Sequence, residues 1–324
     1  TLFRSFGSSF LLCFIFFGQA MTEEKVSAAE KLAELVKRGC SPNALSPMED
    51  KGSRRTLLQL TVDEGLHLNN FEAVETLLEA KADPNLTSET GAFPLAAAVN
   101  APSLHLTRVL LRARADANQQ DDKGVAPLHT AVFKGDEKVT KLLLKYRANP
   151  NVTDCIGNTP LFFINDRGQG SQIIEAKADL AHLNNQGQSA LHHAVHHGSD
   201  DVVWFVLSRA PELLNLQDSK GRTPLHVAAY HGDTSTVSRL FDSGADHTIK
   251  TNNGHTALTL ADKKGHDDLT FYMYTRITGS GKASWAEQAK NPLFLVTLVV
   301  VGTAMLAQRQ LMKEFFFDVI DLLF

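Results

Sequence analysis

The sequence predicts an all-α solenoid of helix-turn-helix repeats with finger loops, followed by a separate apolar helix near the C-terminus. The main observation is a Gly-x-x-Pro-Leu segment, with alanine in place of proline in some copies, that recurs through most of the chain. The fourth residues of the copies lie 33, 33, 30, 34 and 33 residues apart and are Pro94, Pro127, Pro160, Ala190, Pro224 and Ala257. A second marker, an Ala-Asp or Ala-Asn turn, keeps the same period and starts at Ala82, Ala115, Ala148, Ala178 and Ala245. Two markers that share one period indicate stacked repeats, because neighbouring repeats must bury each other's apolar faces.

Composition and charge exclude several classes of protein. The 324 residues carry 32 Lys+Arg against 36 Asp+Glu, a net charge of −4, so the chain lacks the basic surplus of a nucleic-acid-binding protein. Apolar residues make up 43% and charged residues 21%, which argues against disorder. Three cysteines are too few for a disulfide scaffold.

Residues 1–20 differ in character from the repeats. Arg4 precedes an apolar run that extends from Phe10 to Phe17, and Gly18-Gln19-Ala20 supplies the small residues that a signal peptidase requires. The alternative is an over-extended translation, because the chain begins with Thr1 and Met21 is an available start. Both interpretations stay open, and both place residues 1–20 outside the repeat fold.

The repeats contain local signals for two helices and a turn. Thr159-Pro160 and Thr223-Pro224 place a hydroxyl at the N-cap and a proline at the first helical position, where the missing N–H costs nothing. After Gly135, the run 139–144 predicts a second helix with one apolar stripe. The segment 148–151, Ala-Asn-Pro-Asn, then predicts a turn.

The recurring segments resemble the ankyrin-repeat family, whose signature is a 33-residue repeat with Thr-Pro-Leu-His-x-Ala. The resemblance implies about seven repeats over residues 50–275, preceded by a capping half-repeat at 22–49. The repeat at 154–183 is three residues short, and we predict an irregularity there, with a loop over 165–170 and a clipped helix over 171–176. The helices within 256–275 are expected to form a polar C-terminal cap.

The C-terminal region contains a candidate transmembrane helix. Residues 276–291 are predicted to form a flexible linker. The sixteen residues 292–307 that follow are uncharged, and Lys290 and Arg309 flank them. A helix of that length rises about 24 Å, slightly less than a hydrocarbon core of about 30 Å, and flanking cations can snorkel to the interface. The alternative is a buried last helix packed on the repeats. Residues 308–324 form a second apolar tail.

Motifs for catalysis are absent from the sequence, so we expect neither an enzyme nor a cofactor. The histidine run 192–197 does place His192/His196 and His193/His197 four residues apart, a spacing that can ligate zinc on a helix. The family resemblance implies instead that His192 makes structural hydrogen bonds. No cysteine or carboxylate within the motif completes a site, and we therefore predict no metal.

The resemblance also implies where a partner binds. In this family, partners usually dock on a concave face formed by finger-loop tips and the ends of the first helices. Carried over position by position, the partner-binding residues are Phe133, Lys134, His196, His197, Arg222, Tyr230, His231, Lys263 and Lys264. This surface is aromatic, histidine-rich and mildly basic, so we expect an acidic protein surface as the partner and tighter binding as histidines protonate below about pH 6.5.

Together these observations predict a non-catalytic protein-interaction scaffold, anchored to a membrane through 292–307 with its ankyrin domain in the cytoplasm. One alternative is the cytosolic ankyrin portion of a longer multi-span channel or acyltransferase. Another is a soluble cytoplasmic adaptor. A cleaved signal peptide at 1–20 would instead place the chain in the secretory pathway.

Overall fold

The computed structural model describes residues 41–43, 55–68, 71–88, 91–101, 103–197 and 199–278. The predicted signal-like segment 1–20, the transmembrane helix 292–307 and the tail 308–324 lie outside the described residues, as do nearly all of the capping half-repeat and of the linker. The chain divides into two compact units, residues 1–257 and 258–324.

The described part of the first unit consists of helix pairs. In chain order they are α1 (Leu57–Leu68) with α2 (Glu72–Glu79), α3 (Pro94–Asn100) with α4 (Leu104–Arg112), α5 (Pro127–Phe133) with α6 (Glu137–Lys145), a 3₁₀ turn (Pro160–Phe163) with α7 (Arg167–Glu175), α8 (Ala190–His196) with α9 (Asp200–Arg209), and α10 (Pro224–His231) with α11 (Thr234–Asp242). A second 3₁₀ turn, Pro211–Asn215, follows α9.

The pairs stack in two rows, which confirms the all-α repeat fold. The first helices α1, α3 and α5, the 3₁₀ turn, α8 and α10 each contact the next in one row, and the second helices from α4 to α11 form the other. The leucine that follows the proline or alanine of the recurring segment anchors the core. It is at most 1% exposed in every copy of the segment that the structure describes in this unit, at Leu95, Leu128, Leu161, Leu191 and Leu225.

In four of the six described repeats of the first unit, one polar side chain joins the first helix to the following repeat. The Nδ1 atoms of His129, His192 and His226 accept a hydrogen bond from the main-chain N–H three residues earlier, at the N-cap. On the other side of the ring, Nε2 reaches a carbonyl of the next repeat, at 3.0 Å for His129 to Asn158, 3.0 Å for His192 to Arg222 and 3.1 Å for His226 to His255. The neutral tautomer with its proton on Nε2 satisfies both contacts.

Glutamine performs the same task in the first described repeat. Gln59 Oε1 accepts from the N–H of Thr56 at 2.8 Å, and Gln59 Nε2 donates to the carbonyl of Ala92, 33 residues later, at 2.6 Å. Histidine or glutamine can therefore occupy this position, because each offers an acceptor to the N-cap N–H and a donor to a carbonyl of the next repeat.

A second ladder of hydrogen bonds joins the turns between the second helices and the finger loops. Asn118 shows the pattern: its Oδ1 accepts from the N–H of Asn149 at 2.6 Å, and its Nδ2 donates to the carbonyl of Arg147 at 3.1 Å. The Oδ1 atoms of four further asparagines accept from the N–H of the residue that opens the next turn, at Asn43, Asn85, Asn151 and Asn215.

In the short repeat, the first helix is the irregular one, whereas we predicted the irregularity in the second helix. Its first helix is reduced to the 3₁₀ turn, whereas α7 has nine residues and includes 167–170, which we predicted to be a loop. Asp166 caps α7 by accepting from the N–H of Gln169 at 2.9 Å. A Cβ atom on Gly170 would collide with the ring of Phe205. The close packing of α7 on α9 therefore requires glycine at position 170, although glycine has a low helix propensity.

The described part of the second unit contains α12 (Ala257–Lys264), whose first residue belongs to the first unit, and α13 (Asp267–Thr278). Asp267 and Asp268 lie in the first turn of α13, where negative charge complements the helix dipole. None of the described helices is both long and apolar enough to span a bilayer.

We predict that Asn118→Ala lowers the free energy of unfolding by about 1–2 kcal/mol, because two hydrogen bonds between repeats are lost. Asn253→Ala, at an exposed finger tip outside this ladder, is the control and should change little. Urea denaturation of both variants measures the difference, and equal effects would contradict the role of the ladder.

We also predict that acid destabilises the fold through the histidines that join one repeat to the next, such as His129 and His226. Burial lowers the pKa of His129 and His226 below the usual 6.5. Below pH 6.5 the unfolded chain therefore binds protons that the folded chain does not, so the free energy of unfolding falls as the pH drops toward the folded-state pKa values.

His226→Gln should keep the bridge, as Gln59 does, and remove this titration. The unfolding midpoint temperature of the variant should consequently fall less between pH 7.5 and pH 5 than that of the wild type. An identical fall in both proteins would show that His226 does not contribute to acid sensitivity.

Candidate functional site

Most of the predicted partner-binding residues lie at the C-terminal ends of first helices. Phe133 is the last residue of α5 and Lys134 is its C-cap. His196 ends α8 and His197 is its C-cap, while Tyr230 and His231 end α10. The stacking of the first helices therefore brings these side chains, which are up to 98 residues apart in sequence, to one edge of the first unit.

An unbroken chain of ring contacts runs along this edge. We call it the aromatic–histidine row, and its members are Phe133, Phe163, His193, His197, His196, His231 and Tyr230. Successive ring centroids are 6.2, 5.4, 4.4, 5.3, 4.7 and 5.3 Å apart in that order. Most of the pairs meet edge to face, the arrangement that the ring quadrupole favours.

The two ends of the row are strongly exposed. Phe133 is 63% exposed and Tyr230 is 43% exposed, whereas Phe163 and His193 in between are half-buried. Large aromatic side chains that are well exposed on a folded surface mark interaction sites when they are contiguous. The row is such a surface, and it extends over four successive repeats.

Hydrogen bonds also link the histidines of the row. His231 Nε2 lies 2.9 Å from His196 Nδ1, a contact between α10 and α8. His197 Nε2 lies 3.4 Å from His193 Nε2, across one turn at the end of α8. These contacts orient the imidazoles relative to one another.

Burial and mutual repulsion keep two of these rings neutral. Burial, followed by the neighbouring His197 and His196, lowers the pKa of His193 to about 4. Burial and then His196 also lower the pKa of His197. Both rings are therefore neutral at pH 7, and the basic character expected of the surface does not come from them.

Lys134 and the chain around it connect three repeats. The Nζ atom of Lys134 donates to the carbonyl of Asn100 in the preceding repeat. From the following repeat, Nδ2 of Asn165 donates to the carbonyl of Phe133 at 2.7 Å. The end of α5 that presents Phe133 is thus held from both sides.

Arg222 forms an ion pair with Asp218 of the same finger loop. Its guanidinium contacts Asp218 through Nη2 at 2.7 Å and Nε at 2.8 Å, and its carbonyl accepts from His192. Burial would raise the pKa of Asp218, but the hydrogen bonds and charge of Arg222 outweigh it and lower that pKa. Arg222 lies in a finger loop, away from the ring contacts of the row, and holds that loop in shape.

Lys263 and Lys264 belong to the second unit, where they end α12.

Sequence reasoning missed Phe163, which joins Phe133 to His193 in the row. The sequence did contain a signal for Phe163, because it occupies the same repeat position as His193, 30 residues later. That signal was hard to recognise, because residues 160–163 form a 3₁₀ turn in place of an α-helix.

Among the described residues, no three His, Cys, Asp or Glu side chains converge on a possible metal position.

Comparison with protein families identifies the repeats. The family described as "Ankyrin repeats (3 copies)" matches residues 61–154 and 210–278, and the family "Ankyrin repeat" matches residues 186–219. Together these matches cover more than half of the chain.

The curated relatives match only short parts of longer proteins. Diacylglycerol kinase zeta of Rattus norvegicus is 33% identical over 113 residues, which are 35% of this chain and 12% of the kinase. BCL-6 corepressor-like protein 1 of Homo sapiens is 31% identical over 111 residues, which are 33% of this chain and 6% of that protein. The chain therefore spans only a small part of the length of these relatives.

Solved structures share the fold. The ankyrin repeat domain of Bcl-3, titled a unique member of the IkappaB protein family, matches with a TM-score of 0.55 at 23% identity, over 64% of this chain and 96% of that one. The ankyrin repeat protein EF0377 matches with a TM-score of 0.51 at 26% identity, over 57% of this chain and 98% of that one. The repeat matches and the stacked helix pairs together show that the chain belongs to the ankyrin-repeat family.

Proposed function

We propose that this chain is a non-catalytic scaffold that binds a partner protein along the aromatic–histidine row. Ankyrin repeats are protein-interaction repeats, so a protein partner is the expected ligand. The observation that carries the proposal is the row itself, an unbroken series of ring contacts between two exposed aromatic ends.

The energetics of interfaces support Phe133 and Tyr230 as anchors. Aromatic side chains combine a large apolar area with few rotatable bonds, and they are enriched among the residues that dominate binding energy. Phe133 has the larger exposed fraction, and the hydrogen bonds around Lys134 and Asn165 hold its helix end in place. Little conformational entropy would be lost when a partner covers it.

The chemistry of the row favours a partner with an apolar side chain flanked by carboxylates. Neutral imidazoles such as His193 and His197 lose less hydration on burial than charged ones, so the middle of the row suits an apolar or hydrogen-bonding group. Lys134 beside Phe133 supplies a positive charge for an acidic group. In the second unit, Lys263 and Lys264 end α12 and are proposed as cations for an acidic partner in their own right.

We also propose that residues 292–307 anchor the chain to a membrane, with the ankyrin domain in the cytoplasm. The support is the sequence: the sixteen residues 292–307 are uncharged, and Lys290 and Arg309 flank them. A soluble adaptor is the competing proposal, and extraction of membranes separates the two.

Replacing both anchors should weaken partner binding. We expect Phe133→Ala with Tyr230→Ala to raise the dissociation constant by at least about tenfold, because loss of an aromatic hot spot typically costs about 2 kcal/mol or more. The partner is identified first, by cross-linking the full chain in its own cell and mass spectrometry, and affinity is then measured with the purified partner.

Trp204→Ala is the matched control for the anchor experiment. Trp204 is 50% exposed, but it lies on α9 in the row of second helices. If Trp204→Ala weakens binding and the double variant does not, the partner docks on the second helices and the proposed surface is wrong.

Carbonate extraction of membranes tests the anchor. The full chain should stay with the membrane pellet, and a chain that lacks 292–307 should be released, because the proposal makes that apolar segment the anchor. Release of the full chain would overturn the anchor and favour the soluble adaptor, without bearing on the aromatic–histidine row.

A further inference from the structure

Two imidazoles at the end of α8 have the geometry of a metal chelate. His193 and His197 are one helical turn apart, and their Nε2 atoms lie 3.4 Å from each other. Their ring centroids are 4.4 Å apart with the ring planes tilted by 47°. The two Nε2 atoms, from adjacent turns, are therefore close enough for one ion to contact both.

The separation of the two nitrogens fits tetrahedral zinc. With Zn–N bonds of about 2.0–2.1 Å and tetrahedral angles, two ligating nitrogens are about 3.3–3.4 Å apart. Both imidazole pairs of the row are hydrogen-bonded, but the nitrogens of His196 and His231 are 2.9 Å apart, shorter than a tetrahedral edge. Of the two pairs, only His193 and His197 have a separation that matches a tetrahedral edge.

The surroundings prepare His193 as a ligand. Phe162 and Phe163 contact its ring edge to face, with centroid distances of 5.9 and 5.4 Å, and limit its rotation.

The exposure of the pair also suits a metal. His197 is exposed, so an ion can reach the pair from solvent.

Although the sequence alone led us to predict no metal, the 3.4 Å separation leads us to propose that His193 and His197 form a two-imidazole site for Zn²⁺, with solvent completing the coordination. Because no third His, Cys, Asp or Glu of the described residues converges on the same point, the chain alone supplies two ligands. The site is therefore open and exchangeable rather than a closed structural centre. The inference does not depend on partner binding, since zinc can be titrated into the chain by itself.

Zinc titration of the full chain by isothermal calorimetry tests the site. We expect His197→Gln to weaken zinc binding by at least about tenfold, because mutation of even an outer-shell partner typically costs about 10–100-fold in metal affinity. His197 is exposed, so the substitution should leave the fold intact, and circular dichroism verifies this. His193→Gln provides a second, independent loss of one ligand.

Two controls make the result decisive. His105→Gln removes an exposed histidine of α4 that lies beside Glu75, and His231→Gln removes the neighbouring pair; both should bind zinc as the wild type does. The proposal is overturned if the wild type binds no zinc, if His197→Gln binds as tightly as the wild type, or if His231→Gln weakens binding equally. None of these outcomes bears on the protein partner, which is tested with Phe133 and Tyr230.

Discussion

The fold depends on one buried polar side chain that belongs to two repeats at once. His129, His192 and His226 cap their own helix through Nδ1 and reach the next repeat through Nε2, and they are at most 3% exposed. A buried polar group is costly unless it is fully hydrogen-bonded, so each repeat that carries this side chain requires its neighbour to satisfy it. The bond therefore helps to fix the spacing between those repeats.

This constraint leaves the opposite end of the first helices available for the proposed partner surface. The bridging residue lies in the first turn, where its hydrogen bonds to the N-cap and to the next repeat must be satisfied. The last turn has no such obligation, and it holds Phe133 in one repeat, His196 and His197 in another, and Tyr230 and His231 in a third. Stacking then places these unrelated side chains side by side, and a continuous surface results from residues that are far apart in sequence.

The short repeat shows how the stack tolerates a defect. Three residues are missing and the first helix is a single 3₁₀ turn, yet Leu161 remains buried and α7 still packs between α6 and α9. The same turn places Phe163 between Phe133 and His193. The irregular repeat thus completes the aromatic–histidine row, and its deviation from the consensus contributes to the candidate site.

The sequence by itself determined the repeat fold, because the period and the helix signals are local and recur with every repeat. It also located the helix ends that carry Phe133, His196 and Tyr230. Only the tertiary structure decided which side chains touch, since Phe163 enters the row through the 3₁₀ turn that replaces the first helix of its repeat. It likewise decided that Arg222 pairs with Asp218 and that His193 is neutral, because ion pairs and pKa shifts depend on burial and on neighbours from other helices.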